Sequence, residues 1–209
     1  MYHNHIDVVY PRDIYLQPHK DFTHYKTDHH WTEYGAFLGY KELMKEIKKK
    51  HQEITILEES DFDVFYKNLP RPGGYTKDFQ RSFNKGSDCR RLGITDDCPL
   101  EYAYKYYNHK DMKNKRIKKG PLPSSYITEY EKGTDKKVTI VGNSYGGYLM
   151  EFLPFTFKNV QWLRTNNNQS GVKNYEDMRR FEKHIVDFNT DILIYYMASP
   201  YVLHLQDMY

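Results

Sequence analysis

The stretch Lys137-Val138-Thr139-Ile140-Val141-Gly142-Asn143-Ser144-Tyr145-Gly146-Gly147 constrains the fold of this chain more than any other. Consecutive β-branched side chains favour an extended strand, and a run with so little polar alternation is what a strand covered on both faces shows. The glycines permit a sharp turn, and a helical stretch, residues 148–157, follows directly. Strand, tight turn, helix is the unit from which α/β folds are built. Residues 160–163 and 191–196 read as further strands, with an amphipathic helix at 176–188 whose apolar side carries Met178, Phe181, Ile185, Val186 and Phe188. The sequence therefore predicts a three-layer α/β fold with a mostly parallel sheet.

Ahead of this unit the elements are shorter. Residues 6–10, closed by Pro11, read as a strand, as do residues 54–57 and 61–66. From Thr32, a suitable N-cap, a helix is predicted: Ala36, Phe37, Tyr40, Leu43, Met44 and Ile47 recur at three- and four-residue spacing, with charged residues opposite. Residues 70–108 hold Pro70, Pro72, Gly73, Gly74, Gly86, Gly93 and Pro99, the composition of a loop-rich excursion. Residues 102–107 and 125–130 read as strands around a basic turn at 113–119. Residues 1–209 are expected to form a single domain, since 209 residues supply one α/β core and fall short of two.

Composition excludes several classes of function. The net charge of +3 is too small for an electrostatic footprint on DNA or RNA, so no nucleic-acid partner is expected. Aromatic residues reach 16%, with 21 Tyr, which sets the chain apart from disordered sequences. No run approaches the roughly 20 apolar residues of a membrane span, and Met1 to His5 lack the order of a signal peptide. Cys89 and Cys98 suit either one local disulfide or two free thiols. No four-cysteine or C-x-x-C pattern is present, so neither zinc nor another cofactor is expected.

Two constellations carry chemistry. In Thr27-Asp28-His29-His30-Trp31-Thr32 an extended backbone puts Asp28 and His30 on one face, and a carboxylate beside an imidazole fixes the tautomer and stabilises the imidazolium. The competing readings are a helix-start cluster in which Asp28 caps, and a metal site of His24, Asp28 and His30. In Gly142-Asn143-Ser144-Tyr145-Gly146 a serine at a strand-to-helix turn presents its hydroxyl beyond the sheet, with first-turn amides pointing at any oxyanion formed there. Its plain alternative is Ser144 as an N-cap. A hydroxyl attacks at neutral pH only beside a base, so the two constellations gain weight together.

Residues Tyr25-Lys26-Thr27-Asp28-His29-His30-Trp31-Thr32-Glu33-Tyr34-Gly35-Ala36 resemble the signature of the bacterial DHHW proteins, related to the SGNH-hydrolase-like domain of the alginate O-acetylation proteins. Gly142-Asn143-Ser144-Tyr145-Gly146 resembles their serine motif, with Asn143 where Asp is usual. The resemblance implies an SGNH-hydrolase-like, flavodoxin-like fold whose catalytic order is circularly permuted, because the Asp-x-His element precedes the serine. It implies a chain shortened at its N-terminus relative to the family. It further implies Ser144 as nucleophile and backbone oxyanion donor, His30 as general base and Asp28 as the acid that orients it. The implied reaction is acyl transfer, as O-acetyltransferase or acetylesterase, between an acyl donor and a cell-surface polysaccharide. An extracytoplasmic location, with membrane contact only through a further segment or partner protein, follows from the same resemblance. The rival enzyme reading is an α/β-hydrolase elbow at Gly142-x-Ser144-x-Gly146, with Asp177, Asp187 or Asp191 and His184 or His204 after the serine. The rival non-enzymatic reading is a polysaccharide-binding or assembly module.

Overall fold

A computed structural model of the chain describes residues 6–25, 30–122, excepting 71–100, then 125–164 and 175–196. The described chain divides into two compact units: one takes residues 1–9, 40–62 and 109–209, the other residues 10–39 and 63–108. In chain order the elements are α1 (Arg12–Leu16), α2 (Glu33–Lys50), β1 (Phe62–Pro70), β2 (Glu101–His109), β3 (Arg116–Lys119), β4 (Tyr126–Glu129), β5 (Thr134–Gly142), α3 (Ser144–Leu149), α4 (Leu153–Thr156), β6 (Phe157–Arg164), α5 (Tyr175–Asp187) and β7 (Ile192–Tyr196).

The first unit is built on a five-stranded sheet of order β3-β4-β6-β5-β7. Strand β5 lies parallel to both β6 and β7, pairing Ile140 with Trp162 on one side and with Ile194 on the other. Strands β3 and β4 add antiparallel to the β6 edge. The sheet is thus mixed, not mostly parallel: the short β3–β4 connection can only return antiparallel, whereas parallel neighbours need a crossover. Val138, Ile140 and Val141 are buried, as a strand flanked on both edges and both faces requires. Alternation along β5 and β6 sends Val141 and Leu163 to one face, where Phe181 and Ile185 of α5 pack on them. Ile140 and Trp162 point to the other face, where Trp162 meets α3 at Gly146. Tyr40, wholly buried, links α2 to this layer: it shares a 2.6 Å hydrogen bond with Thr156 and accepts one from the Leu57 amide.

The second unit is a tyrosine-rich assembly around the two-stranded sheet of β1 and β2. Tyr104 meets the rings of Phe22 and Tyr25, and Tyr107 that of Phe37. Beside them Lys105, 10% exposed, pairs with Asp21 at 3.5 Å and lies over the Tyr34 and Tyr107 rings. Tyr66 also donates to Asp21. Among the described tyrosines Tyr40, Tyr104, Tyr107 and Tyr130 are buried, whereas Tyr10, Tyr66 and Tyr195 are exposed.

Several elements differ from expectation. Residues 6–10 are extended without a ladder, Ile6 and Val8 being 71% and 83% exposed, and the chain instead forms α1 after Pro11. Residues 54–57 bury Ile54 and Leu57 but form no strand, because their amides bond locally, to the His51 carbonyl and the Tyr40 hydroxyl. The basic turn is shorter than predicted, since Arg116–Lys119 is β3. Cys89, Cys98 and most of the loop-rich excursion lie outside the described residues. Among the described residues no helix is long and apolar enough to cross a membrane.

Candidate active site

Ser144 stands at the C-terminal end of the central parallel strand, the end at which α/β sheets place their ligands. Gly142, the last residue of β5, pairs with Tyr196, and a Cβ on it would lie 2.6 Å from the Tyr196 carbonyl oxygen. Only glycine lets β7 approach this closely. Asn143 follows in extended conformation; its Oδ1 accepts from the Tyr145 amide at 3.2 Å and its carbonyl from the Gly146 amide at 3.0 Å. Asn143, not Ser144, is therefore the N-cap of α3, and Ser144 is its first helical residue. The Ser144 side chain is half-buried. An Asp at position 143 would cap equally well, so the departure from the usual motif preserves the turn. Asn143→Ala is expected to cost about 1 kcal/mol of stability while Asn143→Asp stays near wild type, as measured by chemical denaturation.

Sequence reasoning missed the aromatic setting of this turn. The Trp162 ring packs against Gly146, where a Cβ would lie 2.7 Å from it. Tyr145 stacks on Tyr196 with centroids 6.4 Å apart and planes at 21°. Burial, reinforced by the neighbouring Tyr145, holds the Tyr196 phenol well above its usual range, so it is neutral at physiological pH. Neither contact has a signal in sequence, because both depend on β6 and β7 flanking β5.

The imidazole element belongs to the second unit. His24 and Trp31 form an antiparallel bridge, with hydrogen bonds from the Tyr25 amide to the His30 carbonyl and from the Thr32 amide to the Thr23 carbonyl. The bridge delivers Trp31 and Thr32, both buried, to the start of α2. Thr32 caps that helix as predicted: its Oγ1 accepts from the Gly35 amide at 3.1 Å and donates to the Phe22 carbonyl at 2.6 Å. Gly35 is obligatory here, since a Cβ would sit 2.0 Å from the Thr23 carbonyl oxygen.

His30 is half-buried on this bridge, and Asp28, like His29, lies outside the described residues. Ser144 belongs to the first unit and His30 to the second. His24 shares the Trp31 face of the bridge, where Tyr15 touches both rings. Alternation directs His30 to the other face, so the pair is not set for a common metal. Burial lowers the His24 pKa. Among the described residues no group of three metal-ligating side chains forms.

The acid-after-serine reading meets a geometric obstacle. Asp191 pairs backbone to backbone with Lys137 and also accepts its amide through Oδ2, which places it beside the N-terminal half of β5. Gly142, which ends the same strand ahead of the serine turn, lies five residues further on, about 17 Å at roughly 3.3 Å per residue. Asp187 ends α5, from which the chain turns through Asn189, at φ 55°, and Thr190 into Asp191 beside that N-terminal half. His184 is half-buried one turn before the end of α5. His204 and the Asp177 side chain fall outside the described residues.

No family model matches this chain, and no curated protein matches it. Solved structures do. PatB1 of Bacillus cereus aligns over 84% of this chain and 62% of its own, at 15% identity and a TM-score of 0.57. A second PatB1 structure, with a sulfonyl adduct, aligns at a TM-score of 0.56. A DHHW family protein from Eubacterium siraeum aligns over 85% of this chain and 59% of its own, at 14% identity and a TM-score of 0.56. The chain spans about three-fifths of the length of each. Its fold is the α/β fold of these structures, a DHHW family protein among them.

Proposed function

We propose that this chain performs serine-dependent acyl transfer, with Ser144 as nucleophile, His30 as general base and Asp28 as the acid that orients His30. One observation carries the reading: Ser144 begins a helix at the C-terminal end of the central parallel strand. The fold shared with PatB1 and the DHHW family protein supports it, together with the Asp-x-His element ahead of α2.

Ser144 Oγ attacks the acyl carbonyl carbon while His30 takes the hydroxyl proton; Asp28 holds the imidazole in the tautomer that accepts it. The first-turn amide of Ser144 donates to the oxyanion, because helix N-terminal amides point out of the helix. His30 returns the proton to the departing alcohol as the acyl–enzyme forms, then activates a sugar hydroxyl or water to take the acyl group. The acceptor class is carbohydrate, the acyl group acetyl in the simplest case, and the setting extracytoplasmic. The order Asp28, His30, Ser144 makes the catalytic layout permuted relative to ordinary SGNH esterases.

Sulfonyl fluorides sulfonylate activated serines, and PatB1 has been solved with a sulfonyl adduct. Intact protein treated with phenylmethanesulfonyl fluoride is expected to gain one adduct, which peptide mass spectrometry assigns to Ser144, and the Ser144→Ala protein none. A folded protein that binds glycan yet resists the reagent would be a binding module instead.

A further inference from the structure

A buried histidine lies far from the serine turn in the chain and has no part in the proposed chemistry. His109, 9% exposed, ends β2 and is boxed by aromatic rings. It stacks on Phe155 of α4 with centroids 3.8 Å apart and planes at 4°, and meets Phe62 and Tyr130 edge-on. Its Nδ1 accepts the Asp111 amide at 3.0 Å. A ring nitrogen that accepts an N–H carries no proton, so the neutral ring is the Nε2–H tautomer. Nε2 has no hydrogen-bond partner among the described residues.

Asp111 is the hub of the turn that joins β2 to β3. Its carboxylate accepts from the Tyr130 hydroxyl at 2.9 Å and from Asn114, and pairs with Lys132 at 2.7 Å. These partners, Lys132 first, hold its pKa down at about 2, so it stays ionised throughout the physiological range. From the same turn Lys115 reaches over the free side of the Phe155 region, 4.8 Å from the ring centroid. The other charged group acting on the imidazole is Asp61, whose carbonyl accepts the Lys110 amide at 3.1 Å; the Lys110 ammonium donates to the Ser60 carbonyl.

We propose that His109 is a proton-operated latch on the Asp111 amide: neutral, its Nδ1 fastens that amide beside the aromatic box, and protonated, it cannot accept the amide and releases it, while Tyr130 and Lys132 keep the Asp111 carboxylate. The direction of the switch follows from the surroundings. Burial is the largest influence and lowers the His109 pKa; Asp61 and Asp111 oppose it, and Lys115 and Lys132 assist it. The folded state therefore prefers the neutral ring. The latch is closed above the unfolded histidine's pKa of about 6.5 and opens only as the pH falls through the folded ring's own, lower pKa.

The test is nuclear magnetic resonance of the full chain between about pH 7.5 and 5, across the histidine range. The His109 ring is expected to show an unprotonated Nδ1 at the upper end and a titration midpoint below 6.5. Protection of the Asp111 amide against hydrogen exchange, corrected for the intrinsic rate, should fall about tenfold with the same midpoint. In His109→Phe, which keeps the stack and removes the acceptor, that amide should be unprotected at both ends. A midpoint at or above 6.5, a wild-type amide whose protection ignores pH, or a protected Asp111 amide in His109→Phe would overturn the latch. Should His109→Phe fail to fold, the two wild-type readings decide alone.

Discussion

Ser144→Ala and His30→Ala are each expected to lower acyl transfer from an activated acetyl ester by about three to four orders of magnitude, with little further loss in the double variant. The near-equality follows from the mechanism. The hydroxyl is inert without a base, and the base has no work without the hydroxyl, so removing either removes the same step. Asp28→Asn should cost nearly as much, since an amide favours the wrong imidazole tautomer. His184→Ala and His204→Ala should remain within a few-fold of wild type, because their route to a triad needs an acid after the serine, and Asp191 sits beside the N-terminal half of β5. Steady-state rates on the five single variants and the double variant check this. Activity that survives His30→Ala and disappears in His184→Ala or His204→Ala would transfer the chemistry to the α/β-hydrolase arrangement. Ser144→Ala should barely move the melting temperature, because Asn143 rather than Ser144 caps α3.

Gly142→Ala and Gly35→Ala should each lose about 3 kcal/mol or more of stability. The added methyl meets backbone in both, at 2.6 Å from the Tyr196 oxygen and 2.0 Å from the Thr23 oxygen, and backbone in a paired segment cannot rotate aside. The first substitution drives β7 from β5 beside Ser144; the second forces the bridge that carries His30 away from α2. Gly147→Ala supplies the contrast. Its nearest neighbour would be the Trp162 ring at 3.8 Å, ordinary contact, and a glycine replaced by alanine inside a helix stabilises by about 0.5–1 kcal/mol. Thermal and denaturant unfolding of the three proteins should show two large losses and one gain. Equal effects at all three would mean that the close backbone approaches are not what these glycines serve.

Local periodicity made α2, β5, β6 and β7 legible, because each buries apolar residues at its own repeat: Phe37, Tyr40 and Met44 along a helix face, Val138 to Val141 along a strand; α5 forms where expected and buries Phe181, but Val186, read as part of its apolar side, is 69% exposed. Thr32 was readable as a cap for the same reason, since capping is decided within one turn. Residues 6–10 and 54–57 were not readable, because β-branched composition states a preference while a ladder needs a partner strand.

What the amino-acid order determined by itself is the pair of local motifs, the Asp-x-His element before α2 and the Gly-x-Ser turn after β5, together with the α/β class. Tertiary structure alone decided the mixed sheet, the contacts of Tyr196 and Trp162 with Gly142 and Gly146, and the burial of His109 against Phe155. The physical reason is range. Caps, turns and hydrophobic periods act over three or four residues, whereas strand neighbours and ring contacts join residues that only the closed sheet brings together.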